Sequence, residues 1–126
     1  MPRLVDVGLV GLGGALGSIA RYLVGVALAA LLGPAFPWGT LAVNLTGSFA
    51  AGMLLGAGDV RGLATSTRLL AVTGFLGGYT TFSAFAAETV RLVEQQGMAA
   101  AGGNVAANLV LGLAAAALGL ALGRTY

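Results

Sequence analysis

The chain has 126 residues, 58% of them hydrophobic and only 8% charged, with mean hydropathy +0.96 and no Cys, His or Lys. Soluble domains carry about a quarter charged residues, so an ordinary soluble fold is excluded, and without Cys or His so are disulfides, zinc sites and His-based nucleophilic triads. The net charge of +2 and pI near 9.7 rest on six scattered arginines, which form no basic patch for nucleic acid.

The charges leave long uncharged runs over 7–20, 22–58, 69–87 and 95–123. A helix crosses a ~30 Å hydrocarbon core with about 20 apolar residues, so the runs predict an all-α membrane protein, a single domain of four transmembrane helices embedded in the bilayer. A β-barrel is disfavoured because its strands alternate apolar and polar, whereas these runs are apolar on every face. The first helix is expected over 7–32 with Arg21 inside it, followed by a tight turn, GPAFP (33–37). The second covers 38–58, with Trp38 suited to an interface. The third covers 68–94, interrupted near Gly77 and Gly78 with a break over 77–81, and the fourth covers 98–122. Arg3 and the small residues 17–20 resemble a cleavable leader, but Asp6 and Arg21 are placed against that reading. With four spans, Arg3, Arg61, Arg68 and Arg124 share one side and Arg91 lies on the other, which leans towards cytoplasmic termini.

Residues four apart share a helix face. The second helix carries Thr40, Asn44, Ser48, Gly52 and Gly56 on one stripe, and the fourth carries Asn104, Asn108, Gly112 and Ala116. The glycines, including Gly13 and Gly17, read as points of close helix packing. The amides require a partner or water at membrane depth, so two matching stripes read either as interhelical bonds or as a polar path. Arg21 is the one charge well inside an uncharged region; it either snorkels to the interface or borders an aqueous vestibule that attracts anions, and the second is favoured because Arg cannot shed its proton. Glu88, one to two turns beyond Phe82 and Phe85, is expected to approach water on the opposite face.

The third span reads GFLGGYTTFSAFAAE (74–88), where adjacent glycines and two threonines disfavour an uninterrupted helix. Broken helices expose carbonyls at one half-helix end and N–H groups at the other, and so make ion sites without charged side chains. With GGALGSIARY (13–22), GTLAVNLTGSFAAG (39–52) and GGYTTFSAF (77–85), the whole chain resembles the CrcB/Fluc family of fluoride channels.

The resemblance implies an antiparallel, dual-topology homodimer in the cytoplasmic (inner) membrane, with two pores along the interface for passive export of fluoride, conferring fluoride resistance. The arginine bias fits one orientation better, so pairing with a second homologous subunit is the other assembly. Asn44 matches the family's pore asparagine, Phe82 and Phe85 the two phenylalanines whose ring edges contact fluoride, and Arg21 the vestibule arginine. A phenyl edge carries partial positive charge and an amide offers two N–H donors, so the ion partly replaces its water shell without meeting a formal charge. Ser83 and Thr81 offer hydroxyls nearby, and Thr40 and Ser48 flank Asn44. Asn104 and Asn108 stand where many members have Tyr and Ser, and Ala84 replaces a common hydroxyl residue. The family's structural sodium ion, which is not transported, is held by backbone carbonyls at positions matching Gly77 and Thr80.

Two readings compete. A small multidrug exporter also uses four helices and antiparallel dimers but requires a carboxylate inside the membrane, where the first helix carries Arg21. A non-transporting scaffold requires the glycine faces alone. An enzyme is disfavoured because no pair of ionisable groups falls where a protected active site could form.

Overall fold

Runs that are apolar on all sides fold in hydrocarbon only as helices, because a helix satisfies its own backbone polar groups. The computed structural model describes the chain from Met1 to Tyr126 and contains helices only, joined by short turns. Helix α1 is Leu4–Leu32, α2 is Trp38–Arg61, α3 covers 65–79, α4 is Phe82–Gln96 and α5 is Met98–Thr125. Helices α3 and α4 are two halves of one span, Thr65–Gln96, so four spans are long and apolar enough to cross a bilayer. The chain is a multi-pass membrane protein. Its outward faces carry Leu12, Leu16, Ile19 and Leu23 of α1 in the open, the pattern required where lipid is the solvent.

Helices α1, α2 and α4 stop at Gly33, Gly62 and Gly97, the three residues with positive φ, at 85°, 76° and 92°. Only glycine takes that conformation without a Cβ penalty. At one end of the bundle Arg124 pairs with Asp59 at 2.8 Å, which puts the end of α5 beside the end of α2.

Helix α1 packs best against α3 and α2 against α5, neither of them its neighbour in the chain, whereas α4 packs against the adjoining start of α5. Glycine creates the first two contacts. A methyl group on Gly52 or Gly56 would overlap the carbonyl of Ala116 or Leu120, and one on Gly119 or Gly123 that of Phe49 or Met53. Gly13 and Gly17 stand in the same relation to the backbone at Leu70 and Phe75. With no hydrophobic drive between helices in lipid, this approach of backbones supplies the van der Waals contact that holds them.

The third span breaks at Thr80 and Thr81, not at the glycines. Gly77 and Gly78 are helical, whereas Thr80 (φ −83°, ψ 155°) and Thr81 (φ −151°, ψ 119°) are extended. The hydroxyls explain the difference. Thr80 Oγ1 donates to the Leu76 carbonyl at 2.9 Å, and Thr81 Oγ1 accepts from Ala84 N–H at 3.1 Å and so caps α4. Gly78 serves packing instead, since a Cβ there would lie 3.1 Å from Gly14 Cα and 3.0 Å from Ser18 Oγ. The two halves are 15 residues each, which sets the break near the bilayer midplane. Backbone turns are widened to π-type over Arg68–Leu76 in α3 and over Ala107–Leu111 in α5.

Candidate functional site

The break leaves two half-helix ends facing the middle of the membrane, and three side chains from other elements meet them. Asn44, about two turns into α2, forms a reciprocal pair with Thr81: its Oδ1 accepts Thr81 N–H at 2.8 Å and its Nδ2 donates to the Thr81 carbonyl at 3.2 Å. Asn44 Nδ2 also donates to Asn108 Oδ1 at 3.0 Å. Asn108 lies in the widened turn of α5, is 8% exposed, and donates in turn to Asn104, which is fully buried. The amide stripes of α2 and α5 therefore do meet, and they bond to each other.

Around this knot lies a cleft of about 410 Å³, lined among others by Asn44, Ser48, Thr80, Phe82, Phe85 and Asn108. The rings of Phe82 and Phe85 are 5.6 Å apart and tilted by 56°. Phe85 is 8% exposed and Phe82 75%, so the outer ring stands on the open face of the single chain. At the start of α4 the N–H groups of Phe82 and Ser83 make no hydrogen bond, as expected of a first helical turn. They form the positive end of the half-helix dipole and favour an anion. Thr81 and Ser83 hydroxyls sit 3.3 Å apart beside them.

The opposite half-helix end is treated differently. Arg21 reaches across from α1, and its Nε donates to the Gly78 carbonyl at 3.0 Å. A cation at a helix C-terminus is favourable, so burying the arginine stem lets its charge complement the last turn of α3. Arg21 also lines a second cavity, of about 460 Å³, together with Tyr22, Thr40 and Glu88.

Thr40 departs from expectation. Thr40 does not join the Asn44 group; its Oγ1 donates to Glu88 Oε1 at 3.0 Å. Glu88, half-buried, lines the cavity shared with Arg21 and Thr40, and its Oε2 has no protein partner. Helical spacing put Thr40 on the Asn44 stripe, but the two are a full turn apart and meet different neighbours. Thr89 was not singled out from the sequence, yet its Oγ1 accepts from Asn104 Nδ2 at 2.9 Å. Its spacing of four from Phe85 was the available signal.

Gly77 and Thr80 bear on a cation. Thr81 N–H, the donor a continuous helix would give the Gly77 carbonyl, goes to Asn44, and Ala84 N–H, the donor for Thr80, goes to the Thr81 hydroxyl. Both carbonyls are released, and Gly77 is exposed. Neutral oxygens of this kind fit a weakly held monovalent cation better than Mg²⁺.

The chain is similar to the fluoride-specific ion channel FluC of Agrobacterium fabrum, 48% identical over 96% of this chain and 98% of that one. It is similar to fluoride-specific ion channel FluC 1 of Nitrobacter hamburgensis at 45% identity, covering 89% and 90%, and to FluC of Rhodospirillum centenum at 48%, covering 90% of each. Residues 8–120, from the first glycine of α1 to the glycine-rich end of α5, match the family described as CrcB-like protein, camphor resistance, and the chain belongs to that CrcB family.

Proposed function

We propose that this chain is a fluoride channel, not an enzyme, and that it gives passive export of fluoride across the inner membrane. The observation that carries the reading is the start of α4: free N–H groups of Phe82 and Ser83 open at mid-membrane beside the Phe82 and Phe85 rings and the Asn44 amide. Such a site attracts a small, strongly hydrated anion through many partial charges and holds it weakly enough to leave. Arg21 raises the local anion concentration without standing at the narrowest point.

Two copies assembled antiparallel complete the pore. Irregular backbone at membrane depth is tolerated only under protein or beside water, while Gly77, Phe82 and Ser83 are open on the single chain. A second copy laid across this face covers the break and walls the cleft. It also brings the Gly77 and Thr80 carbonyls of both copies together, which supports a structural sodium ion at the dimer centre. The arginine margin between the two ends is small, so insertion both ways by one gene product is the reading adopted.

The test is fluoride release from liposomes containing only this purified protein, followed with a fluoride electrode after addition of a potassium ionophore, with chloride recorded in parallel. Rapid fluoride release without chloride is expected, and reconstitution in sodium-free buffer is expected to slow it. Folded protein that releases neither ion would count against a self-sufficient homodimer; release restored by a homologous subunit would then identify a paired channel. Phe82→Ile keeps apolar bulk but loses the ring edge, and is expected to cut the release rate at least about tenfold, the loss of one good electrostatic contact. An unchanged rate would remove Phe82 from the pore.

A further inference from the structure

Asn44 ends a hydrogen-bond chain whose direction is fixed by backbone at both extremities. At the far end Thr89 Oγ1 donates to the Phe85 carbonyl at 2.6 Å, so towards Asn104 it can only accept. Asn104 therefore presents Nδ2 to Thr89 and turns Oδ1 back, where it accepts from Asn108 Nδ2 at 3.0 Å; the same Nδ2 lies 2.9 Å from the Asn104 carbonyl. That leaves Asn108 Oδ1 to accept from Asn44 Nδ2 at 3.0 Å. At the near end Thr81 N–H requires an acceptor and meets Asn44 Oδ1, which fixes the same amide independently. The two assignments agree.

An amide nitrogen has two protons, and Asn44 spends both, on the Thr81 carbonyl and on Asn108 Oδ1. No Asn44 N–H is therefore free to receive an anion. Of the two acceptors, the Thr81 carbonyl is backbone locked in a reciprocal pair, whereas Asn108 Oδ1 is a side-chain atom of another helix and lines the cleft with the phenylalanines.

We infer that Asn108 Oδ1 is a place-holder for the anion: it occupies the Asn44 N–H in the ion-free cleft and yields when fluoride arrives. This rests on the reading of the chain as a fluoride channel and adds a residue that sets how tightly the ion is held. A bond to an ion is roughly twice as strong as one between neutral groups, so fluoride displaces an amide oxygen and chloride, a weaker acceptor, does not. The device has two uses. It spares the empty pore an unsatisfied donor at membrane depth, and it subtracts from the affinity of the filled one, easing exit. Thr89 and Asn104 act through Asn108, as positioning residues that keep its oxygen turned towards Asn44.

The test uses the ¹⁵N-labelled full chain in micelles, following side-chain amide signals while sodium fluoride or sodium chloride is added, with liposome release run in parallel. In the wild type, fluoride is expected to move the Asn44 and Asn108 signals together, and chloride neither. In Asn108→Leu, the fluoride concentration that half-shifts the Asn44 signal is expected to fall about tenfold, equivalent to about 1.4 kcal/mol. Asn108→Ala serves where the leucine variant does not fold, and the wild-type titration decides without either. Thr89→Val is expected to disperse the Asn108 signal and Thr89→Ser to restore it. Fluoride that shifts Asn44 and leaves Asn108 still, or a half-point unchanged in the variants, overturns the place-holder. Release intact with Asn108 unmoved would sink this inference alone, whereas wild-type protein that neither shifts nor releases would take the channel reading down with it.

Discussion

Asn44→Asp is expected to abolish fluoride release, lowering the rate by more than about a hundredfold, the equivalent of about 3 kcal/mol. The carboxylate keeps the bond from Thr81 N–H but puts an oxygen where Nδ2 now donates to the Thr81 carbonyl and to Asn108 Oδ1. Three acceptors then face one another with no proton between them, and each unmet buried group costs about 1–3 kcal/mol before the charge is counted. The negative charge also lies beside the free N–H groups of α4 and competes with the anion for them. Liposome release with the purified variant checks the first consequence, and the detergent melting temperature, expected to fall, checks the second. An Asp variant that conducts at the wild-type rate would place the ion route away from Asn44.

Gly119→Val is expected to prevent stable folding altogether, at a cost of about 3 kcal/mol or more, the upper end of overpacking. Even a single Cβ at Gly119 would overlap the Phe49 carbonyl and sit 3.0 Å from Met53 N. Relief is blocked because the obstruction is backbone, and α2 and α5 are locked by Gly52, Gly56 and Gly123 on either side. The control is Gly102→Ala on the same helix, where nothing lies within 4 Å and a gain in helix propensity of about 0.5–1 kcal/mol is expected. Yield of folded protein and melting temperature separate the two. A valine variant as stable as wild type would mean that the helices are held by something other than backbone approach.

Four apolar helices were legible because uncharged length alone decides that question, and the chain has few charges to confuse it. The glycine contacts were legible as a pattern but not as a pairing: spacing marks Gly52 and Gly56 as a packing face without saying that α5 covers it. The break at Thr80 and Thr81 falls within the expected stretch 77–81, but the glycines drew attention first because glycine is the stronger helix breaker in isolation. Here Gly78 is consumed by contact with α1, and the threonine hydroxyls, which compete for backbone bonds, end the helix. The direction in which Asn44, Asn104 and Asn108 bond could not be read at all. It depends on Thr89 and on widened turns in α5, and π-type turns leave no periodic signature in a run of alanine, leucine and glycine. The bond from Thr40 to Glu88 was not legible either, because the two lie 48 positions apart.

The preference of α1 for α3 and of α2 for α5 bears on how the protein is made. Neither α1 nor α2 finds its best partner in the other, so the first two spans released into the bilayer form no self-sufficient hairpin. The glycine face of α2 stays against lipid until α5, which follows α3 and α4 in the chain, arrives to cover it. Each span therefore commits to a direction across the membrane before any lasting tertiary contact can correct it. A ribosome stalled before α5 would leave an inserted but open chain, a ready substrate for membrane proteases.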